Sequence, residues 1–68
     1  MAELPIAAVS RIAKASGVER VGSDAAELLV LKAEEFIGQL TKDAVDLATH
    51  AGRKTIKAED VEMASQKA

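Results

Sequence analysis

Apolar residues recur along this chain at steps of three and four, in three blocks separated by glycine, and the spacing predicts three α-helices of unequal length. In the first block Ile6, Val9, Ile12 and Ala13 repeat after Pro5, whose fixed φ suits a first helical turn, and Gly17 supplies a stop. Val18-Glu19-Arg20-Val21-Gly22 follows as a loop with a brief extended stretch, because two β-branched residues stand between glycines. Ser23 or Asp24 opens the second block; with Asp24 as the cap, Glu27 occupies the third helical position and completes a capping box. Leu29, Ala33, Phe36, Ile37, Leu40, Ala44, Leu47, Ala48 and Ala51 then step by 4, 3, 1, 3, 4, 3, 1 and 3, a stripe that carries the helix to about His50. Gly38 weakens this helix by roughly 1 kcal/mol relative to alanine without breaking it, and Gly52 ends it. Thr55 and Ile56 read as a short strand. Ala58 to Lys67 form a last helix with Val61, Met63 and Ala64 apolar, its start poorly capped by Lys57.

These lengths imply an all-α single domain, residues 1–68, that needs a partner. The central helix of about 27 residues is near 40 Å long, whereas each flanking helix of about ten residues spans only ~15 Å. Leu28, Val30, Leu31 and Val45 widen the apolar stripe beyond what two short helices cover, so a monomer leaves grease exposed. Crossing a second copy of the long helix over Phe36, Ile37 and Leu40 buries that surface and predicts an obligate dimer. A coiled coil is the poorer solution, since seven-residue spacing is not sustained over three heptads.

Size and composition sharpen this. A chain of 68 residues buries only about 60% of its unfolded surface, so disulfides, metals or oligomerisation are commonly recruited. There are no cysteines and one histidine, and the acids show no calcium-loop pattern, so no metal or cofactor is expected. No apolar run approaches the ~20 residues that cross a bilayer, and Met1-Ala2-Glu3-Leu4-Pro5 does not read as a signal sequence; a soluble, intracellular protein with no membrane partner is expected. Glu34-Glu35 reads as a solvated face, and with no acid, base or nucleophile paired to it the sequence offers no catalytic residues and no small-molecule substrate.

Charge gives the clue to function. Three of the nine basic residues, Arg53, Lys54 and Lys57, fall within five consecutive positions, while residues 24–50 set Lys32 and Lys42 against Asp24, Glu27, Glu34, Glu35, Asp43 and Asp46, two cations against six anions for a net of −4. A positive loop on a negative scaffold suggests a localised anionic partner. The net charge of −2 argues against a generic polycation.

Glu3-Leu4-Pro5-Ile6-Ala7, Arg11-Ile12, Lys14, Glu19-Arg20-Val21 and, above all, the eleven contiguous residues His50-Ala51-Gly52-Arg53-Lys54-Thr55-Ile56-Lys57-Ala58-Glu59-Asp60 occur in the order and spacing that resemble an archaeal histone over essentially the whole chain. The resemblance implies a histone fold that pairs as a handshake dimer, the first loop of one subunit lying parallel to the second loop of the other, with Arg20 and Val21 beside Thr55 and Ile56. It implies double-stranded DNA as the partner, in chromosome-associated chromatin of the cytoplasm. Arg20 is then the arginine that enters the minor groove, a contact to narrow electronegative grooves and not to base identity. Lys54, Thr55 and Lys57 contact phosphates from the paired loops, and Arg11 and Lys14 do so from the first helix. Arg53 and Asp60 are a structural brace between the second loop and the last helix. Leu47, His50, Asp60 and Met63 form a dimer–dimer contact with His50 facing Asp60 of the neighbouring dimer, so association is expected to weaken as pH rises past the histidine's titration.

The chain departs from several archaeal histones in having Ala26, Gly38, Asp46 and Thr49 where additional basic residues stand on the central helix, and in finishing Gln66-Lys67-Ala68. Fewer phosphate contacts predict modest, salt-sensitive affinity. The expected function is nonspecific binding and wrapping of DNA by dimers that assemble into tetramers or longer stacks. The alternative is an acidic histone-fold module that heterodimerises with a paralogous histone and caps or loosens chromatin.

Overall fold

The computed structural model describes residues 3–66. Three helices follow one another, α1 (Ile6–Ala15), α2 (Ser23–His50) and α3 (Ala58–Gln66), and among the described residues there is no strand. The short, long, short order is that of the hydrophobic pattern. Lys67, expected in the last helix, lies outside the described residues.

Helix ends differ from the expectation where backbone took over the role of a side chain. Pro5 is the N-cap of α1 and not its first helical residue; its carbonyl accepts the Val9 N–H at 3.2 Å. The capping box at Asp24 does not form. Ser23 is already helical, the Gly22 carbonyl accepts the Ala26 N–H at 2.9 Å, and the Asp24 carboxylate accepts the adjacent Ala25 N–H at 2.8 Å. At the far end of α2, Gly52 adopts φ 77°, the left-handed conformation that glycine alone takes without steric cost. Its N–H donates to the Thr49 carbonyl and the Arg53 N–H to the Ala48 carbonyl, both at 2.9 Å, the paired bonds of a Schellman motif. Val18–Gly22 and the segment after Gly52 are irregular in the single chain, which holds no partner strand for Thr55 and Ile56 among the described residues.

The chain divides into two compact units, Met1–Glu35 and Phe36–Ala68, with the boundary inside α2. In the first, Ala26 and Val30 are buried and Glu34, four residues on, is half-buried; this row faces α1. The inward side of α1 is Ala8, Val9, Ser10 and Ala13, all half-buried, whereas Ile12, counted on the apolar face, is 69% exposed. No residue of α1 is fully buried, and an open depression of about 250 Å³ remains among Ile6, Glu27, Val30 and Leu31.

In the second unit Ala44 and Ala48 of α2 and Ala64 of α3 are buried, with Leu40, Leu47 and Val61 half-buried. Alanine on both helices permits close backbone approach, and each contributes only one methyl group to the core. The sequence stripe is therefore displaced: Leu29, Phe36, Ile37 and Ala51 are exposed, while Ala26 and Val30 take the interior. The reason is economy of cover, since within each unit one short helix shields a narrow row of its part of α2 and leaves bulkier side chains open. Phe36 is 60% and Ile37 49% exposed beside half-buried Leu40.

Candidate nucleic-acid interface

The segment from Gly52 to Asp60 is organised around one carboxylate. Arg53 Nη1 and Nη2 donate to Asp60 Oδ2 and Oδ1, each at 2.8 Å, and Nη1 also donates to the Thr55 carbonyl at 3.1 Å. Asp60 Oδ2 further accepts the Lys57 backbone N–H at 2.8 Å. Lys57 is the residue ahead of α3, and Asp60 is the third residue of that helix. The helix start that Lys57 itself caps poorly is thus held from within, by half of a capping box. A fork of two charge-assisted bonds closes the loop back on the helix.

The electrostatics follow the geometry. The Arg53 guanidinium, then the Lys57 N–H, hold the Asp60 carboxyl below its ordinary 3.8, at about 2. Donation to the Asp60 carboxylate in turn raises Arg53 above its ordinary value. Asp60 is 3% exposed, and three of the four acceptor positions on its carboxylate are taken, leaving one on Oδ1. The Arg53 charge is spent inside the chain. Lys54, Thr55 and Lys57 stay exposed on the loop so formed.

In the first unit Arg11 and Lys14 lie three residues apart on exposed surface of α1, neighbours on one helix face, and Arg20 is exposed in the loop between α1 and α2. Among the described residues the ion pairs are Lys32–Glu35, at 3.6 Å on the surface, and Arg53–Asp60. Arg11, Lys14, Arg20, Lys54 and Lys57 therefore keep their charges available. Each unit of the single chain holds one group of them, Arg11, Lys14 and Arg20 in the first and Lys54 and Lys57, with Thr55 between them, in the second.

His50 ends α2 and is exposed, Leu47 is half-buried and Met63 is 55% exposed; together with Asp60 they belong to the second unit. Among the described residues no three histidine, cysteine or acidic side chains gather to hold a metal ion, and no helix is long and apolar enough to cross a membrane.

The sequence reading missed Glu34. It is not a solvated acid: Oε2 accepts the Leu4 N–H at 2.8 Å and also the Glu3 N–H, and these bonds, Leu4 first, lower its carboxyl below the ordinary value. Its neighbour Glu35 fits the surface description, paired with Lys32. The signal that distinguishes them is the four-residue row Ala26, Val30, Glu34, which turns Glu34 toward α1 and Glu35 away.

Comparison with known proteins agrees with this arrangement. Residues 2–64 match the family model described as histone-like transcription factor (CBF/NF-Y) and archaeal histone. The chain is 52% identical over 64 residues to the A subunit of archaeal histone HAN1 of Thermococcus zilligii, covering 94% of this chain and 96% of that one. It is 45% identical over 64 residues to probable archaeal histone 3 of Methanocaldococcus jannaschii, with the same coverage. A helical chain with exposed cations on its first helix and on both loops, matched along nearly its whole length, belongs to the family of histone-like transcription factors and archaeal histones.

Proposed function

We propose that two copies of this chain cross at the middle of α2 to form one intertwined dimer, a single domain per chain, and that the dimer binds and wraps double-stranded DNA without sequence specificity. As a member of its family the chain is a histone-like DNA-packaging protein and not an enzyme. The observation that carries the finer reading is the exposed apolar face at Phe36 and Ile37, beside half-buried Leu40, on a helix whose fully buried apolar residues are three alanines and one valine. An apolar face of that kind on a small chain is an interface. In the head-to-tail crossing the first loop of one chain runs beside the second loop of the other, so Arg20 joins Lys54, Thr55 and Lys57 on one ridge. Arg20 enters the minor groove, the loop residues and Arg11 and Lys14 bind phosphate, and Leu47, His50, Asp60 and Met63 stack dimer on dimer along the chromosome in the cytoplasm.

Sedimentation of the free protein and a gel shift on duplex DNA test this together. A dimer is expected, with Arg20→Ala plus Lys54→Ala abolishing the shift at unchanged helicity. A well-folded monomer would overturn the proposal.

A second reading is a module that pairs with a different histone and loosens chromatin. The −4 balance of residues 24–50 favours it, as does the fact that one relative is named as part of a multi-chain histone. The same gel shift separates the two, because this second protein shifts DNA only after its paralogue is added.

A further inference from the structure

Helix α1 carries two of the cations assigned to phosphate, yet has little of its own to hold it in place. No residue of α1 is fully buried, its N-cap Pro5 makes no side-chain capping bond, and its first turn has no acidic residue. Beneath that first turn the depression beside Ile6 leaves part of its face without contact. The polar restraint at this end is Glu34, whose carboxylate reaches from α2 to two consecutive N–H groups, Glu3 and Leu4, immediately ahead of Pro5.

We infer that Glu34 is a positioning residue for DNA binding: by pinning residues 3 and 4 to α2 it fixes the direction in which α1 leaves Pro5, and so aims Arg11 and Lys14 at phosphate. The inference rests on the proposed function, in which α1 binds phosphate. A helix tethered at its start presents Arg11 and Lys14 in one orientation. Untethered, it rocks on a partly filled contact, and two long cationic side chains meet the duplex less often. Arg11 and Lys14 lie five and eight residues beyond the helix start, so a change of helix direction at the tether displaces both, Lys14 the more. Glu34 itself, a carboxylate, repels DNA; its contribution to binding is therefore opposite in sign to its charge, and that separates the role from simple electrostatics.

The experiment uses the intact dimer and measures how affinity for duplex DNA falls with salt. Glu35→Ala is the control, since it removes the same charge from the next residue without touching the tether. Glu35→Ala is expected to leave the salt dependence unchanged and to bind as well as the parent or better. Glu34→Ala is expected to lower the slope of log affinity against log salt by about one unit for each phosphate that Arg11 and Lys14 cease to touch. Glu34→Gln, which keeps an acceptor oxygen, falls between. In an Arg11→Ala, Lys14→Ala background, Glu34→Ala adds no further loss. Should Glu34→Ala not fold, Glu34→Gln is compared with Glu35→Gln, and a lower slope for the former is expected. Equal behaviour of the paired Glu34 and Glu35 variants overturns the inference while leaving α1 a phosphate-binding helix. An unchanged slope in the Arg11→Ala, Lys14→Ala double variant overturns that underlying reading and the inference with it.

Discussion

Asp60 and Glu34 perform the same task in the two halves of the chain: each carboxylate accepts from the backbone just ahead of a helix, Asp60 one N–H before α3 and Glu34 two before α1. They differ in what else holds them. Asp60 acts over three residues, is buried, and is matched by the Arg53 guanidinium. Glu34 acts over about thirty residues, is half-buried, and accepts from backbone N–H groups with no guanidinium fork. The second loop is consequently a local device that closes on itself, while the start of α1 is placed only once α2 has formed. Under the proposed function, the DNA-binding surface has one edge preformed by local bonds and one edge set by tertiary contact.

The comparison breaks most visibly at Asp60. Asp60→Ala leaves Arg53 without its counter-charge and the start of α3 without its acceptor, and it is expected to lower the melting temperature further than the other substitutions below, measured by circular dichroism at fixed concentration. The parent chain reports the same bond through pH. Since the folded carboxyl titrates at about 2 in place of its ordinary 3.8, its contribution is complete above about pH 4 and is lost as pH falls toward 2. Melting temperature is expected to drop across that window, and Asp60→Asn to drop less steeply. An equally steep decline in the variant would assign the acid sensitivity to other groups.

Next in size is Val30→Ala, directed at the half that relies on apolar contact. Removing two methyl groups from the one fully buried valine is expected to cost about 2 kcal/mol in urea denaturation. A cost under half of that would mean that α1 settles into the space, and that the depression at Ile6 is a soft contact. Smallest is Gly52→Ala, in the turn that launches the second loop. Nothing lies within 4 Å of an added Cβ, so the cost is purely conformational, about 1 kcal/mol for an L-residue held at positive φ.

Helix order and ends were legible because punctuation is local: Gly17 and Gly52 both stand at positive φ just past a helix, and Pro5 stands just before one. The identity of the core was less so. Periodicity marks an apolar arc on α2, but it does not say which part of the arc the chain covers itself. The large side chains of Phe36 and Ile37 sit on the open part, and Ala26, Val30, Ala44 and Ala48 fill the interior. Arg53 and Asp60 were legible as a pair only through the resemblance to an archaeal histone, which the contiguous motif around them carries. Glu34 had no such neighbourhood, since its partners are backbone groups at the opposite end of the first unit and amides leave no trace in a sequence.

Four of the five buried apolar side chains among the described residues are alanines. Each withdraws one methyl group from water, so a solitary chain has little driving force to fold, and in the proposed dimer the larger share of it comes from association. Under obligate pairing, folding is a second-order reaction governed by mass action: the melting midpoint climbs with the amount of protein present, and unmated chains stay open to proteolysis. The expression level of such a protein then sets the fraction of it that is folded as well as the length of DNA it can cover.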